Sequence, residues 1–408
     1  MPERADASHD VTSRGVVSHD VLVVGGGNGG VSAAGRVRRL GCRDVAVLEP
    51  RSMHRYRPLL NYVGGGQARR DELTLTMSQA LSTGVTHHLG AAVAVDPGAR
   101  IVTTDTGRRL GYRDLVLAPG LRPDLAATPG LEAALHAGWA THTFTPDTAT
   151  RLWPLVRATR SGTVVFTVPP EPAPCGGSAL KPLFLACDHW RREGVLDAIR
   201  VVLAVPTPTV LGLPFVDRRL QPYLDRYGVE LHTSSTLAEV DTATRSVTLD
   251  GPTGSTRIDD VTMAHLVPVH RPDPWLAESG LAQPGTGLVD VDPGTLRHSR
   301  FDDVWGIGDA AALQTRPSGG ALRTQVKVLG DNIVAARLGR PLGAYDGYTV
   351  VPVTVEARSA LIAEFDRAGR PTGSLPLVDL TRPNPFVWFF DRYLEPQVYR
   401  HRLLKGSV

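Results

Sequence analysis

Short apolar runs alternate with longer amphipathic stretches along the first half of the chain. Residues 20–24 (Asp-Val-Leu-Val-Val) read as a strand buried on both faces, as parallel strands are. The run Gly25-Gly26-Gly27-Asn28-Gly29-Gly30 follows, and then a helical pattern over residues 31–40. A second apolar run at 44–48 ends on Glu49. A third at 112–117 ends on Ala118-Pro119-Gly120. Residues 163–168 and 199–205 predict two more buried strands. Residues 301–305 predict a short one before Gly306-Ile307-Gly308-Asp309. Strands interleaved with helices predict an α/β fold built on parallel sheets.

Composition narrows this modestly. With 408 residues, 42% hydrophobic and 21% charged, the chain is long enough for two or three domains. A net charge of +3 gives no case for a nucleic-acid partner. Three cysteines make no disulfide framework and fit a reducing cytoplasm. Residues 1–18 carry Arg4, Asp6, Asp10 and Arg14 without an apolar core, which predicts a disordered tail, not a signal peptide. No apolar run approaches the ~20 residues a spanning helix needs. No metal site is assigned.

The glycine run carries the first chemistry. Its G-x-G-x-x-G pattern lies between a strand and a helix. Gly25 permits the tight turn, Gly27 lets a pyrophosphate approach the backbone, and Gly30 lets the helix pack on the sheet. Asn28 lies in the turn, and the N-terminus of the helix that follows faces the phosphates. Glu49, about 20 residues on, is placed to accept from ribose hydroxyls. The Ala118-Pro119-Gly120 turn and the Gly308-Asp309 turn bring backbone close to a ligand, with Asp309 able to bond a ribityl hydroxyl. This second turn resembles the second FAD motif of flavoproteins with two dinucleotide domains, so FAD is the expected cofactor.

The second half lacks the matching nicotinamide signal. Neither the 163–168 strand nor the 199–205 strand is followed by a glycine turn. The prolines of 206–214 remove backbone donors. After the first of these strands comes a Pro-rich loop with a lone thiol, Cys175-Gly176-Gly177, opening a helix. Flanking glycines and a helix N-terminus predict that Cys175 titrates below a free thiol. A sulfur substrate, not NAD(P)H, is therefore the expected electron source.

These segments resemble the sulfide:quinone oxidoreductases of the mitochondrial type. The resemblance rests on Glu49-Pro50, His54-x-Tyr56-x-Pro58-Leu59, Val63-Gly64-Gly65-Gly66 and Cys175-Gly176-Gly177-x-x-x-Lys181. It also rests on Gly306-Ile307-Gly308-Asp309, Tyr345-Asp346-Gly347-Tyr348 and Ala363-Glu364-Phe365-Asp366, and runs from about residue 18 to 405. It implies a disulfide-reductase-type flavoprotein with two Rossmann-like domains and a C-terminal segment that meets the membrane. It further implies sulfide oxidation at two cysteines beside the flavin, with electrons passing through FAD to a quinone. Carried over, Cys175 matches the thiolate facing the flavin and Lys181 a lysine in the helix behind it. Pro50 and Pro58 fall in the cofactor-binding motifs.

The chain departs from that pattern at Ala310, where the family places its second redox cysteine. Cys187 lies 12 residues beyond Cys175, ~18 Å along a helix, whereas a disulfide needs Cα atoms within roughly 7 Å. Cys42 belongs to the adenosine side. The family's cation near the flavin is lost, or moved to Arg316, Arg323 or Lys327. His265 is a candidate for acid–base work, alongside His54 and His270. Phe386, Trp388, Phe389, Phe390, Tyr393 and Leu394 crowd one short helix before Pro396, with Arg400, Arg402 and Lys405 beyond. That suits peripheral membrane contact at the inner face, or a homodimer contact.

The expected organisation is an FAD domain of residues 19–125 and 285–345, a second Rossmann-like domain of 126–284, and a docking segment of 346–408. The expected activity is oxidation of sulfide or a small thiol at Cys175, through FAD to a quinone. Two alternatives stay open. One is a different organic substrate on the same scaffold, re-oxidised by oxygen or quinone. The other is flavin binding without turnover.

Overall fold

The computed structural model describes residues 16–374 and 378–407. The predicted tail falls largely on residues 1–15, outside the described residues. Val17 and Ser18, assigned to that tail above, instead open the first strand, paired with Leu110 and Gly111.

Val17–Val24 is the centre of a seven-stranded sheet. Val45–Glu49 and Arg109–Leu117 flank it in parallel. Val85–Leu89 lies outside Val45–Glu49, and Val304–Gly306 adds to Arg109–Leu117 from far along the chain. The antiparallel Ile101–Thr104 and Ala92–Asp96 complete the sheet. The helix Asn28–Arg39 buries Gly30, Val31, Ala33, Ala34 and Val37, and these small side chains let it lie close to the strands.

A second, five-stranded parallel sheet runs in the order Ala140–Thr141, Val261–His265, Gly162–Thr167, Ile199–Ala204, Glu230–His232. The fold is thus α/β with two Rossmann-like parallel sheets. The apolar runs at 20–24, 44–48, 112–117, 163–168 and 199–205 fall in largely buried strands, and the run at 301–305 yields the shorter strand Val304–Gly306. In such sheets ligands bind beyond the carboxyl ends of the strands. Val17–Val24 ends at the glycine turn, and Gly162–Thr167 ends at the loop leading to Cys175.

Residues 346–408 do not form one unit. The hairpin of Thr349–Glu356 and Ser359–Phe365 puts Val351, Val353, Val355, Leu361, Ala363 and Phe365 into the core of the second sheet. Tyr399, Leu403 and Leu404 instead join the core of the first. Between them the helix does not stop at Pro396. Pro385–Phe389 continues through a wide π turn, Phe390–Leu394, into Glu395–His401. Pro396 stands in the first turn of that last helix, where its missing N–H costs nothing. No helix among the described residues is long and apolar enough to cross a membrane.

Candidate active site

The glycine turn divides its labour. Gly25 has φ +103°, and a Cβ on it would lie 2.2 Å from Ala118 O. A Cβ on Gly30 would lie 1.8 Å from Gly25 O. Those two glycines serve close packing. Around Gly27 no atom lies within 4 Å of where a Cβ would stand. That open space, beside the first turn of the helix Asn28–Arg39, fits a dinucleotide's phosphates.

Gly27 and Asn28 line a cavity of about 1230 Å³, as do Pro58, Ala118, Pro119, Gly120, Gly308, Asp309, Cys175 and Lys181. Gly25 and Gly30 lie behind the turn, and Pro50 is exposed beside it. Glu49 is 3% exposed and already engaged. Its Oε2 accepts from Gly26 N–H at 2.7 Å, and its Oε1 from the Arg51 guanidinium at 2.6 Å. Burial works to raise its pKa, but Arg51 and the Gly26 N–H outweigh that and hold the carboxyl below its usual range. Glu49 thus braces the turn from behind.

Gly308 takes φ +75° and donates its N–H to Gln325 Oε1 at 3.0 Å. Asp309 beside it is pushed up by burial, and Arg57 opposes that shift across the cavity. Arg57, between the motif residues Tyr56 and Pro58, carries no signal in the sequence because the group it acts on, Asp309, lies far along the chain.

Cys175 departs from expectation. It takes a left-handed conformation, φ 52°, before a four-residue 3-10 turn, Gly176–Ala179; the α-helix starts later, at Leu180. The thiol is partly exposed within the cavity. Burial pushes its pKa up to about 11; Lys181 pulls it down, and Asp309 and Glu171 raise it further. The predicted low-pKa thiolate is therefore not found. Two carboxylates and a desolvated turn outweigh one lysine.

That lysine is itself committed. Lys181 Nζ lies 2.5 Å from Asp391 Oδ2, and both are buried. Tyr62 donates its hydroxyl to the same oxygen at 2.6 Å, and its ring lies under the ammonium at 4.7 Å. Asp391 sits in the π turn, and nothing in its sequence context signalled this role.

His265 does not reach the cavity. It is 0% exposed, with Nε2 3.1 Å from Thr143 Oγ1, and burial drives its pKa down to about 3. It is a neutral core residue. His270, pushed down to about 4 by burial, is also neutral. Of the three cations considered for a place near the flavin, Arg323 lines the cavity, paired with Glu395. Arg316 bonds Leu211 O, and Lys327 pairs with Asp331 at the surface. Ala310, Cys42 and Cys187 are all buried. Of the three cysteines, Cys175 alone meets the cavity.

In the second sheet, the helix after Ile199–Ala204 offers no phosphate cradle. The N–H groups of Leu211 and Leu213 already donate to the Asp217 carboxylate, at 2.8 and 2.9 Å. A negative charge stands where a phosphate would otherwise dock. Beyond Cys175 the cavity opens through an apolar mouth that includes Val350, Pro352, Ile362, Phe386 and Phe390. Phe386, Phe389 and Tyr393 are exposed around it, at 66%, 46% and 43%.

Comparison with known proteins agrees with this geometry. Residues 19–154 match the pyridine nucleotide-disulphide oxidoreductase family. The mitochondrial sulfide:quinone oxidoreductase of Dictyostelium discoideum is 30% identical over 390 residues, covering 95% of this chain and 86% of that protein. The sulfide:quinone oxidoreductase structure from Aquifex aeolicus superposes with a TM-score of 0.79 at 17% identity, covering 94% of this chain and 92% of that one. A chain in the mitochondrial ATP synthase of Tetrahymena thermophila superposes with a TM-score of 0.81 at 20% identity, covering 100% and 99%. The last two likenesses concern the fold alone.

Proposed function

This chain belongs to the sulfide:quinone oxidoreductase family and is an FAD-dependent oxidoreductase, and from that premise we propose that it oxidises sulfide or a small thiol with Cys175 as its one working cysteine and hands the electrons to a quinone. The observation that carries the reading is the shared cavity. It joins the glycine turn, Cys175 and the apolar mouth, and no second cysteine borders it.

With Ala310 in place of a second cysteine, the family's paired-thiol cycle becomes a one-thiol cycle. The Cys175 thiol and a sulfide join through a new S–S bond, giving a persulfide. That step releases two electrons and two protons, which FAD held by Gly27, Asn28 and the Gly308-Asp309 turn would take up. When bound, FAD supplies the two-electron acceptor that the protein side chains lack. A free thiol then takes the outer sulfur and restores Cys175 with no further change in electron count. A quinone entering between Phe386, Val387 and Phe390 accepts the electron pair and two protons. The exposed aromatic side chains around the mouth suit entry from a lipid surface.

A different organic substrate is the competing reading, favoured by the raised thiol pKa and by Ala310. Anaerobic titration of the holoprotein with sulfide separates the two. The one-thiol reading requires bleaching of the flavin and a mass increase of one sulfur atom on Cys175. It also requires that Cys175→Ser remove both. Bleaching that survives in Cys175→Ser would overturn it.

A further inference from the structure

The hydroxyl of Tyr399 reaches the phosphate turn from nearly the other end of the chain. It lies 2.8 Å from Asn28 Oδ1 and 2.6 Å from His54 Nε2. His54 Nδ1 lies 2.9 Å from the Gly26 carbonyl oxygen. His54 and Tyr399 are 2% and 3% exposed, so solvent does not supply alternative partners. The Tyr399 ring packs on Tyr56, centroids 4.3 Å apart.

The segment carrying Tyr399 is firmly seated. Leu403 and Leu404 are buried in the first core. Lys405 Nζ donates to the carbonyls of Gln79, Ala80 and Leu81 at 2.7, 3.0 and 2.7 Å. A Cβ on Gly406 would lie 2.3 Å from Arg36 N.

Proton counting along this chain of bonds is restrictive. A carbonyl oxygen only accepts, so His54 Nδ1 carries a hydrogen toward Gly26. Tyr399 has one hydrogen, and it is donated to Asn28 Oδ1. Its oxygen must then accept from His54 Nε2, so in this arrangement both ring nitrogens carry protons. The same arrangement leaves the Asn28 NH₂ group, with no protein partner among the described residues, on the cavity wall. A neutral His54 would reverse the bonds: Tyr399 would donate to Nε2, and Asn28 would turn its oxygen toward the wall to give its NH₂ to Tyr399. Burial, with Arg51 and Lys405, holds the His54 pKa below its ordinary value against the Gly26 carbonyl and Glu49, so the neutral ring is favoured before a cofactor binds. A diphosphate beside Gly27 adds two negative charges on the side of the charged ring.

We propose that Tyr399 and His54 are positioning residues of the cofactor site: they aim the Asn28 NH₂ at the dinucleotide phosphates, and His54 takes up a proton when FAD binds. Flavin binding and protonation of His54 are then one linked event. The inference concerns binding of the cofactor and is independent of which substrate is oxidised.

The test is calorimetric titration of apoprotein with FAD, in two buffers of different ionisation enthalpy, across pH 5–9. The expected result is net uptake approaching one proton per FAD within a pH window. There the dissociation constant rises up to about ten-fold per pH unit as pH rises. Tyr399→Phe keeps the ring against Tyr56 but loses the hydroxyl. It is expected to abolish the uptake and weaken FAD about ten-fold. Asn28→Ala is expected to match it, with no further loss in the double variant. No proton uptake in the wild type, or uptake unchanged in Tyr399→Phe, would overturn the proposal.

Discussion

The Lys181 ammonium lies 2.5 Å from the Asp391 carboxylate in a buried pair that ties the helix behind Cys175 to the C-terminal π turn. Tyr62 and Thr354 extend the pair into a cluster drawn from four separate stretches of chain. Breaking such a pair leaves one charge without a partner in a dry site.

Lys181→Met should therefore destabilise the holoprotein by roughly 3–5 kcal/mol. The double variant Lys181→Met with Asp391→Leu should recover most of that, because no charge is then stranded. Urea denaturation followed by tryptophan fluorescence measures both. Equal losses in the single and double variants would show that packing, not charge, holds this junction.

Cys175 offers a direct titration. In the apoprotein its alkylation rate by iodoacetamide should keep climbing beyond pH 9, since burial with Asp309 and Glu171 pushes the thiol up to about 11. Asp309→Asn removes one of the carboxylates that raise it and should shift the curve to lower pH. A plateau below pH 8.5 in the wild type would refute this assignment.

The contrast between Cys175 and the glycine turn shows what sequence can carry. The turn at 25–30 was legible because its chemistry is local: a strand, three glycines at fixed offsets and a helix start. The central parallel strands were legible because each carries an unbroken apolar run, as at Val21–Val24, Val45–Leu48 and Val201–Ala204. Asp391, Tyr399 and Arg57 were not, because their partners lie across the fold. Asp391 meets Lys181, and Tyr399 meets Asn28, at separations no window can see. His265 misled for the same reason. Its type suggests proton transfer, and only the tertiary fold shows it sealed behind Thr143.

Three buried histidines should contribute to the loss of stability in acid. Burial drives His142 and His265 down to about 3 and His270 to about 4. The unfolded chain protonates them near pH 6.5. Stability from their neutral forms is thus complete above that value and is lost as pH falls toward the folded pKa values. The unfolding free energy should begin to drop just below pH 6.5, and His265→Asn should reduce the steepness by about one proton. Denaturant midpoints taken at half-unit pH steps would show it. A slope unaffected by His265→Asn would remove that histidine from the account.

Gly27 and Gly30 belong to the same motif but should fail differently when changed. Gly27 has an extended backbone, φ −75° and ψ −167°, which any residue adopts, and empty space where a side chain would go. Gly27→Val should fold normally, with apoprotein melting close to wild type. It should lose FAD affinity by well over ten-fold, because the valine fills the space meant for phosphate. Gly30→Ala should do the reverse. Its Cβ would stand 1.8 Å from Gly25 O, so helix and turn must move apart, and the apoprotein itself should melt lower. Thermal melting and FAD fluorescence titration on the two variants separate these outcomes. Equal apoprotein destabilisation by both would mean that the cavity beside Gly27 is a packing feature and not the phosphate site.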